Sequence, residues 1–175
     1  MKNNISKMLM LLTIMILVFT ISVSAEWRTF SSEDEMTGET TWFAHSEQVT
    51  SNKKMEFPYH DTKAWLGVGT DGENEWTYIG FSNEPNISND ETQDGYSVIR
   101  TRVKWDEEIE KMSFTQDWGS KFINFRDNGY AITKIENSNT MLIELSWYGQ
   151  DKVYFNFSLD GSASAIDKIR KNVQK

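Results

Sequence analysis

The sequence has no cysteine, only two prolines and only two histidines. Without cysteine there is no disulfide, zinc–thiolate site, redox dithiol or cysteine nucleophile. The histidines, His45 and His60, are too few for a multi-histidine metal centre. Basic residues are also outnumbered: 18 Lys and Arg against 26 Asp and Glu give a net charge of −8. Such a chain repels nucleic-acid phosphates and anionic lipid surfaces, so no nucleic-acid partner is expected. No G-x-S-x-G nucleophile elbow occurs, and no serine has a distinctive setting.

The amino terminus has the three parts of an export leader. Lys2 and Lys7 supply a positive region, Met8–Val18 is almost wholly apolar, and Val23-Ser24-Ala25 places small residues at the −3 and −1 positions. A permanent anchor needs roughly 20 apolar residues, and Thr13, Thr20, Ser22 and Ser24 interrupt this run. The reading is therefore a signal peptide at residues 1–25 and a mature chain beginning at Glu26, periplasmic or extracellular, with no transmembrane span. No cysteine follows the apolar run, which excludes acylation at a new terminal Cys. The leader adds only positive side chains, so the mature chain is more acidic than the whole.

Residues 26–175 are one ordinary domain in length. Lacking disulfides, this domain must be held by its core. Seven tryptophans, six tyrosines and nine of the ten phenylalanines provide the material, since each aromatic side chain buries about 150–250 Å². Short β-type runs separated by turn clusters dominate. Trp65-Leu66-Gly67-Val68 and Trp76–Phe81 flank Asp71-Gly72-Glu73-Asn74, a hairpin signal. Ser82–Gly95 reads as a surface loop. In Tyr96–Trp105, Ile99, Val103 and Trp105 share one face while Arg100, Arg102 and Lys104 share the other. Met141–Trp147 and Val153–Leu159 form a second hairpin, with Val153, Phe155, Phe157 and Leu159 inward. Tyr130–Glu136 reads as a short internal helix. A carboxyl-terminal helix follows, capped by Ser164 and striped by Ile166, Ile169 and Val173. The expected fold is mainly β: an antiparallel β-sandwich or curled sheet with those two helices.

Several short segments resemble known families. Asp34-Glu35-Met36-Thr37-Gly38, then Ala44-x-Ser46, then Phe57-Pro58-Tyr59, resemble uncharacterised exported proteins of Gram-negative bacteria that carry DEMTG, FPY and V-R-F-D segments. Val103-Lys104-Trp105-Asp106 occupies the last position, with Lys and Trp in place of Arg and Phe. The carboxyl half is similar to the VasI/TagO periplasmic accessory proteins of type VI secretion. It is carried by Leu142-Ile143-Glu144-Leu145, by Phe155-Asn156-Phe157-Ser158-Leu159-Asp160-Gly161 and by Ala165-Ile166. Members of the first family commonly carry a cysteine pair that this chain lacks. The resemblance implies a β-rich domain of the cell envelope and transfers no catalytic residue.

The residues suggest no cofactor, metal or catalytic constellation. His60 beside Asp61 reads as a polar loop. The acidic clusters at 33–35, 90–94 and 106–110 read as solvated loops, because none matches an EF-hand. Candidate partner-binding residues are the basic stripe Arg100, Arg102 and Lys104, with cross-strand pairing to carboxylates such as Glu144 as its competing duty. The aromatic candidates are Trp118 beside Gly119, Trp147 and Tyr148 near a turn, and Tyr59 after Pro58. The functional expectation is a non-catalytic binding or accessory module, with an envelope protein or extracellular ligand as partner. A structural subunit of an envelope or secretion complex, and a hydrolase of polysaccharide or peptide, are the alternatives.

Overall fold

A computed structural model describes residues 27–173. The leader read at residues 1–25 lies outside the described residues. Among the described residues no helix is long and apolar enough to cross a membrane.

Eleven strands run β1 (Arg28–Glu33), β2 (Thr40–His45), β3 (Val49–Thr50), β4 (Lys63–Thr70), β5 (Glu75–Phe81), β6 (Asp90–Thr92), β7 (Tyr96–Trp105), β8 (Glu108–Asp117), β9 (Phe122–Phe125), β10 (Thr140–Trp147) and β11 (Asp151–Ser158). Helix α1 (Asn128–Asn137) sits between β9 and β10, and α2 (Ser162–Val173) follows β11. All the strands belong to one antiparallel sheet in the order β1-β2-β4-β5-β9-β8-β7-β10-β11, with β3 paired to β4 and β6 to β7. Of the two expected architectures, the curled sheet is the one found.

The curl is nearly closed. Asn52, just after β3, donates its backbone N–H to the Tyr154 carbonyl of β11 (2.9 Å), and its Oδ1 accepts from the Tyr154 N–H (3.0 Å). Since β3 pairs with β4, the far end of the sheet returns to its middle. Inside, Phe81 of β5 meets Trp147 of β10 and Phe155 of β11 at centroid distances of 5.7 and 5.6 Å, although these strands are distant in the sheet order. The inward residues of β7, β10 and β11 are those the alternation marks: Ile99, Val103, Trp105, Ile143, Leu145, Val153, Phe155 and Phe157 are all buried.

Both helices pack on the inner side, Ile132, Ile135, Ile166 and Ile169 joining Ala44, Leu66, Val68 and Ile79 in one core. Asp127 caps α1 by accepting from the Tyr130 N–H at 3.0 Å. Helix α2 begins two residues before the expected cap, so Ser164 lies inside it; Ser162 instead donates its hydroxyl to the Ile135 carbonyl (2.6 Å), joining the helices. Arg170 of α2 grips Glu75 at the start of β5 with two hydrogen bonds (2.6 and 2.8 Å) and Glu136 of α1 with a third (2.5 Å).

Two loop readings need correction. The acidic run at 106–110 is a tight turn, Asp106-Glu107, followed by strand: Glu108 and Glu110 stand on β8, where Glu108 pairs with Lys134 at 2.7 Å and Glu110 accepts from the Tyr130 hydroxyl at 2.7 Å. Within Ser82–Gly95, three residues form β6 on the flank of β7. In the ladder Glu108 stands opposite Trp105 and Glu110 opposite Val103, and their polar partners, Lys134 and Tyr130, come from α1.

The segments that carry the family resemblance are structural pieces. Asp34 closes the β1–β2 connection, its Oδ1 accepting from Met36 N–H (2.7 Å) and Thr37 N–H (3.0 Å). Ser46 is buried and its hydroxyl oxygen accepts from the Leu66 N–H at 2.9 Å.

Candidate functional site

Arg100, Arg102 and Lys104 point outward from β7 as their spacing predicts, and each meets a carboxylate. Arg100 pairs with Glu91 of β6, and Lys104 reaches Glu107 at 2.9 Å. Arg102 holds Glu144 of β10 through two hydrogen bonds, 2.5 and 3.2 Å. Glu144 also receives the Tyr154 hydroxyl (2.7 Å) and Lys152 (3.2 Å). The Arg102 hydrogen bond, opposed by burial and helped by Tyr154 and Lys152, holds the Glu144 carboxyl down at about 2. The stripe is thus largely compensated within the protein.

Tyr59 and Trp118 come together. Both line an open cleft of about 550 Å³ built by the segments around Pro58, Pro85 and the β8–β9 turn. Glu84, Asp90 and Asp117 also line it, and all three are exposed. Exposed carboxylates lack the desolvation that acid–base chemistry by such groups draws on. His60 pairs with Asp61 at 2.6 Å on the surface, outside this cleft. Among the described residues no group of three or more His, Cys, Asp or Glu is placed to hold a metal ion.

The largest feature was not foreseen. The outer face of β1, β2, β4, β5 and β9 carries a continuous aromatic layer: Phe30, Phe43, His45, Trp65, Trp76, Tyr78 and Phe122. Phe30 stacks on Phe43 (5.2 Å) and meets His45 edge-on (4.7 Å); Phe43 meets Trp76 (6.3 Å), and Phe122 meets Tyr78 (5.4 Å) and Trp65 (6.3 Å). These rings lie opposite the core, because Leu66, Val68, Ile79 and Phe81 occupy the alternate positions.

Three glycines let three of these rings lie against the sheet, while Phe122 stands edge-on to Trp65 and Tyr78, and Phe43 to Trp76. In the β4–β5 ladder Trp65 stands opposite Gly80, Tyr78 opposite Gly67 and Trp76 opposite Gly69. A Cβ on any of them would lie 2.4–2.5 Å from its partner ring. With no side chain beneath, each ring lies down on the partner backbone. The sequence signal was legible: Trp65-x-Gly67-x-Gly69 and Trp76-x-Tyr78-x-Gly80 set aromatic and glycine on one face at period two.

His45 occupies the middle of the layer, its Nε2 sharing a hydrogen bond of 2.5 Å with the Tyr78 hydroxyl. Burial pushes the imidazole down to about 4 and the phenol well up, so both groups are neutral at pH 7. Beside it the layer ends in a groove of about 630 Å³, walled by Phe30, His45 and Trp65 and edged by Arg28, Glu47 and Gln48. Both outermost rings are substantially open to solvent, Phe30 at 44% and Phe122 at 41%.

No protein-family model, curated protein or solved structure matches this chain.

Proposed function

We propose that the protein is an exported, non-catalytic binding module of the cell envelope, and that the outer aromatic layer is its ligand surface. The observation that carries this reading is the glycine-floored packing of Trp65, Tyr78 and Trp76. A sheet face turned away from the core ordinarily carries polar side chains; here it carries rings, and glycines where side chains would lift them. An aromatic face of this size on a soluble domain marks a contact surface. The leader at residues 1–25 and the likeness to exported and VasI/TagO-type envelope proteins support the location. The compensated basic stripe and the exposed carboxylates of the Tyr59–Trp118 cleft favour binding over turnover.

The test is recovery of ligand from the envelope fraction by the tagged exported protein, compared with a Phe30→Ala/Phe122→Ala double variant. Both rings sit at the solvent edge, so the fold should survive, as circular dichroism would verify. Recovery is expected in the wild type and loss in the variant. Equal recovery by both would place the ligand elsewhere.

A further inference from the structure

We propose that the groove beside Phe30, His45 and Trp65 takes one sugar ring of a neutral polysaccharide, and that the chain continues over Trp65 toward Phe122. This rests on the outer layer being the ligand surface. Three features of the face select the ligand class.

The first is shape. At the groove the Trp65 ring lies against the Gly80 backbone, with His45 tilted 40° to it at 6.2 Å and Phe30 beyond, an aromatic wall that suits a ligand with a flat apolar face. A pyranose ring has one, formed by its axial C–H bonds, and packs it on an aromatic face.

The second is polarity. The groove edge holds one cation (Arg28), one anion (Glu47) and one amide (Gln48). Its formal charges cancel, and His45 adds none because burial keeps it neutral at pH 7. An anionic polymer would meet Glu47 on a chain of net charge −8, and a cationic one would meet Arg28. A neutral ligand meets neither penalty. Arg28 supplies donors, Glu47 acceptors and Gln48 both, the mixture that hydroxyl groups require.

The third is length. Successive ring centroids from Phe30 through His45 and Trp65 to Phe122 run in steps of 4.7, 6.2 and 6.3 Å. That path is longer than one sugar ring, so a chain is favoured over a monosaccharide.

The test is calorimetric titration of the exported protein with neutral hexasaccharides (gluco- and N-acetylglucosamine-based), with an oligogalacturonate as the anionic control and a lysine-rich peptide as the cationic one. At least one neutral chain should bind, and bind more tightly than its disaccharide. Phe30→Ala should weaken it roughly tenfold, the scale of one lost ring contact. Gln48→Ala, an exposed position that leaves the layer intact, should weaken it by a smaller factor, and Trp118→Ala should leave it unchanged. Binding of the anionic or cationic control alone, or of no chain at all, would overturn the glycan assignment. If an envelope protein is instead retained in a Phe30-dependent way, the ligand surface stands and the glycan falls. A glycan affinity indifferent to Phe30→Ala and Gln48→Ala would overturn both.

Discussion

Trp65 lies flat on Gly80, its cross-strand partner: a Cβ at position 80 would stand 2.4 Å from the indole. The indole Nε1 is buried without a hydrogen-bond partner. The pairing thus spends polar satisfaction to keep a ring level on the outer face.

Gly80→Ala reverses the usual sign of a strand glycine substitution. Alanine ordinarily strengthens a strand position that glycine weakens, and Gly80 is not among the positive-φ glycines. Here the methyl group collides with the Trp65 ring. The expected cost is about 1–3 kcal/mol, the range for overpacking, measured by denaturant unfolding. The indole must lift, so its fluorescence should shift as well. A stabilised variant with unchanged emission would contradict the packing.

Trp105 tests the inner face. It is 2% exposed and faces the core beside Val103 and Met141. Trp105→Ala should cost about 3–5 kcal/mol, as large aromatic truncations do. Its Nε1 is also buried and unpartnered, so Trp105→Phe should cost much less: the lost volume is partly offset by removing an N–H whose burial costs about 1–3 kcal/mol. Equal costs for the two variants would mean that the indole N–H has found a partner.

Two groups give the acid limb of stability separate windows. The folded pKa of His45, about 4, lies below the ordinary 6.5, so the unfolded chain binds the proton more readily. Stability falls as pH drops from about 6.5 to about 4 and is flat below. Glu144, held at about 2 against an ordinary 4.5, supplies stability above 4.5 that is lost as pH falls toward 2. His45→Phe should flatten the upper window and leave the lower; Arg102→Met should shrink the lower and leave the upper. Unfolding free energies measured from pH 7 to pH 2.5 check both. A pH profile unchanged in His45→Phe would contradict the burial of the imidazole.

How much of this was legible depended on whether a strand had one wet face. In β7 and β11 the alternation of Ile99, Val103 and Trp105 with Arg100, Arg102 and Lys104, and of Val153, Phe155 and Phe157 with polar residues, marked the core side. Pairing with Glu144 followed from ladder geometry. In β4 and β5 both faces are apolar, so Trp65 and Leu66, or Tyr78 and Ile79, cannot be sorted by hydropathy, and aromatics read by default as core. The first half of β8 fails for the opposite reason: Glu108, Ile109, Glu110 and Lys111 lie beyond the core, where no buried face imposes alternation. Tyr59 and Trp118 were each nominated singly; only the curl of the sheet puts them in one cleft. That curl depends on the Asn52–Tyr154 closure, which joins residues 102 apart in sequence.

The central claim, that the ligand lies on the glycine-floored outer layer and not in the Tyr59–Trp118 cleft, can be read from the tryptophans themselves. The chain has seven, and each gives one indole N–H signal in a proton–nitrogen NMR spectrum. Trp65 and Trp76 report the outer layer, Trp118 the cleft, and Trp105 and Trp147 the core. Adding envelope polysaccharide and envelope protein fractions in turn to the labelled protein should move the Trp65 and Trp76 signals and leave Trp118 in place. Movement of Trp118 with Trp65 and Trp76 unmoved would contradict the account.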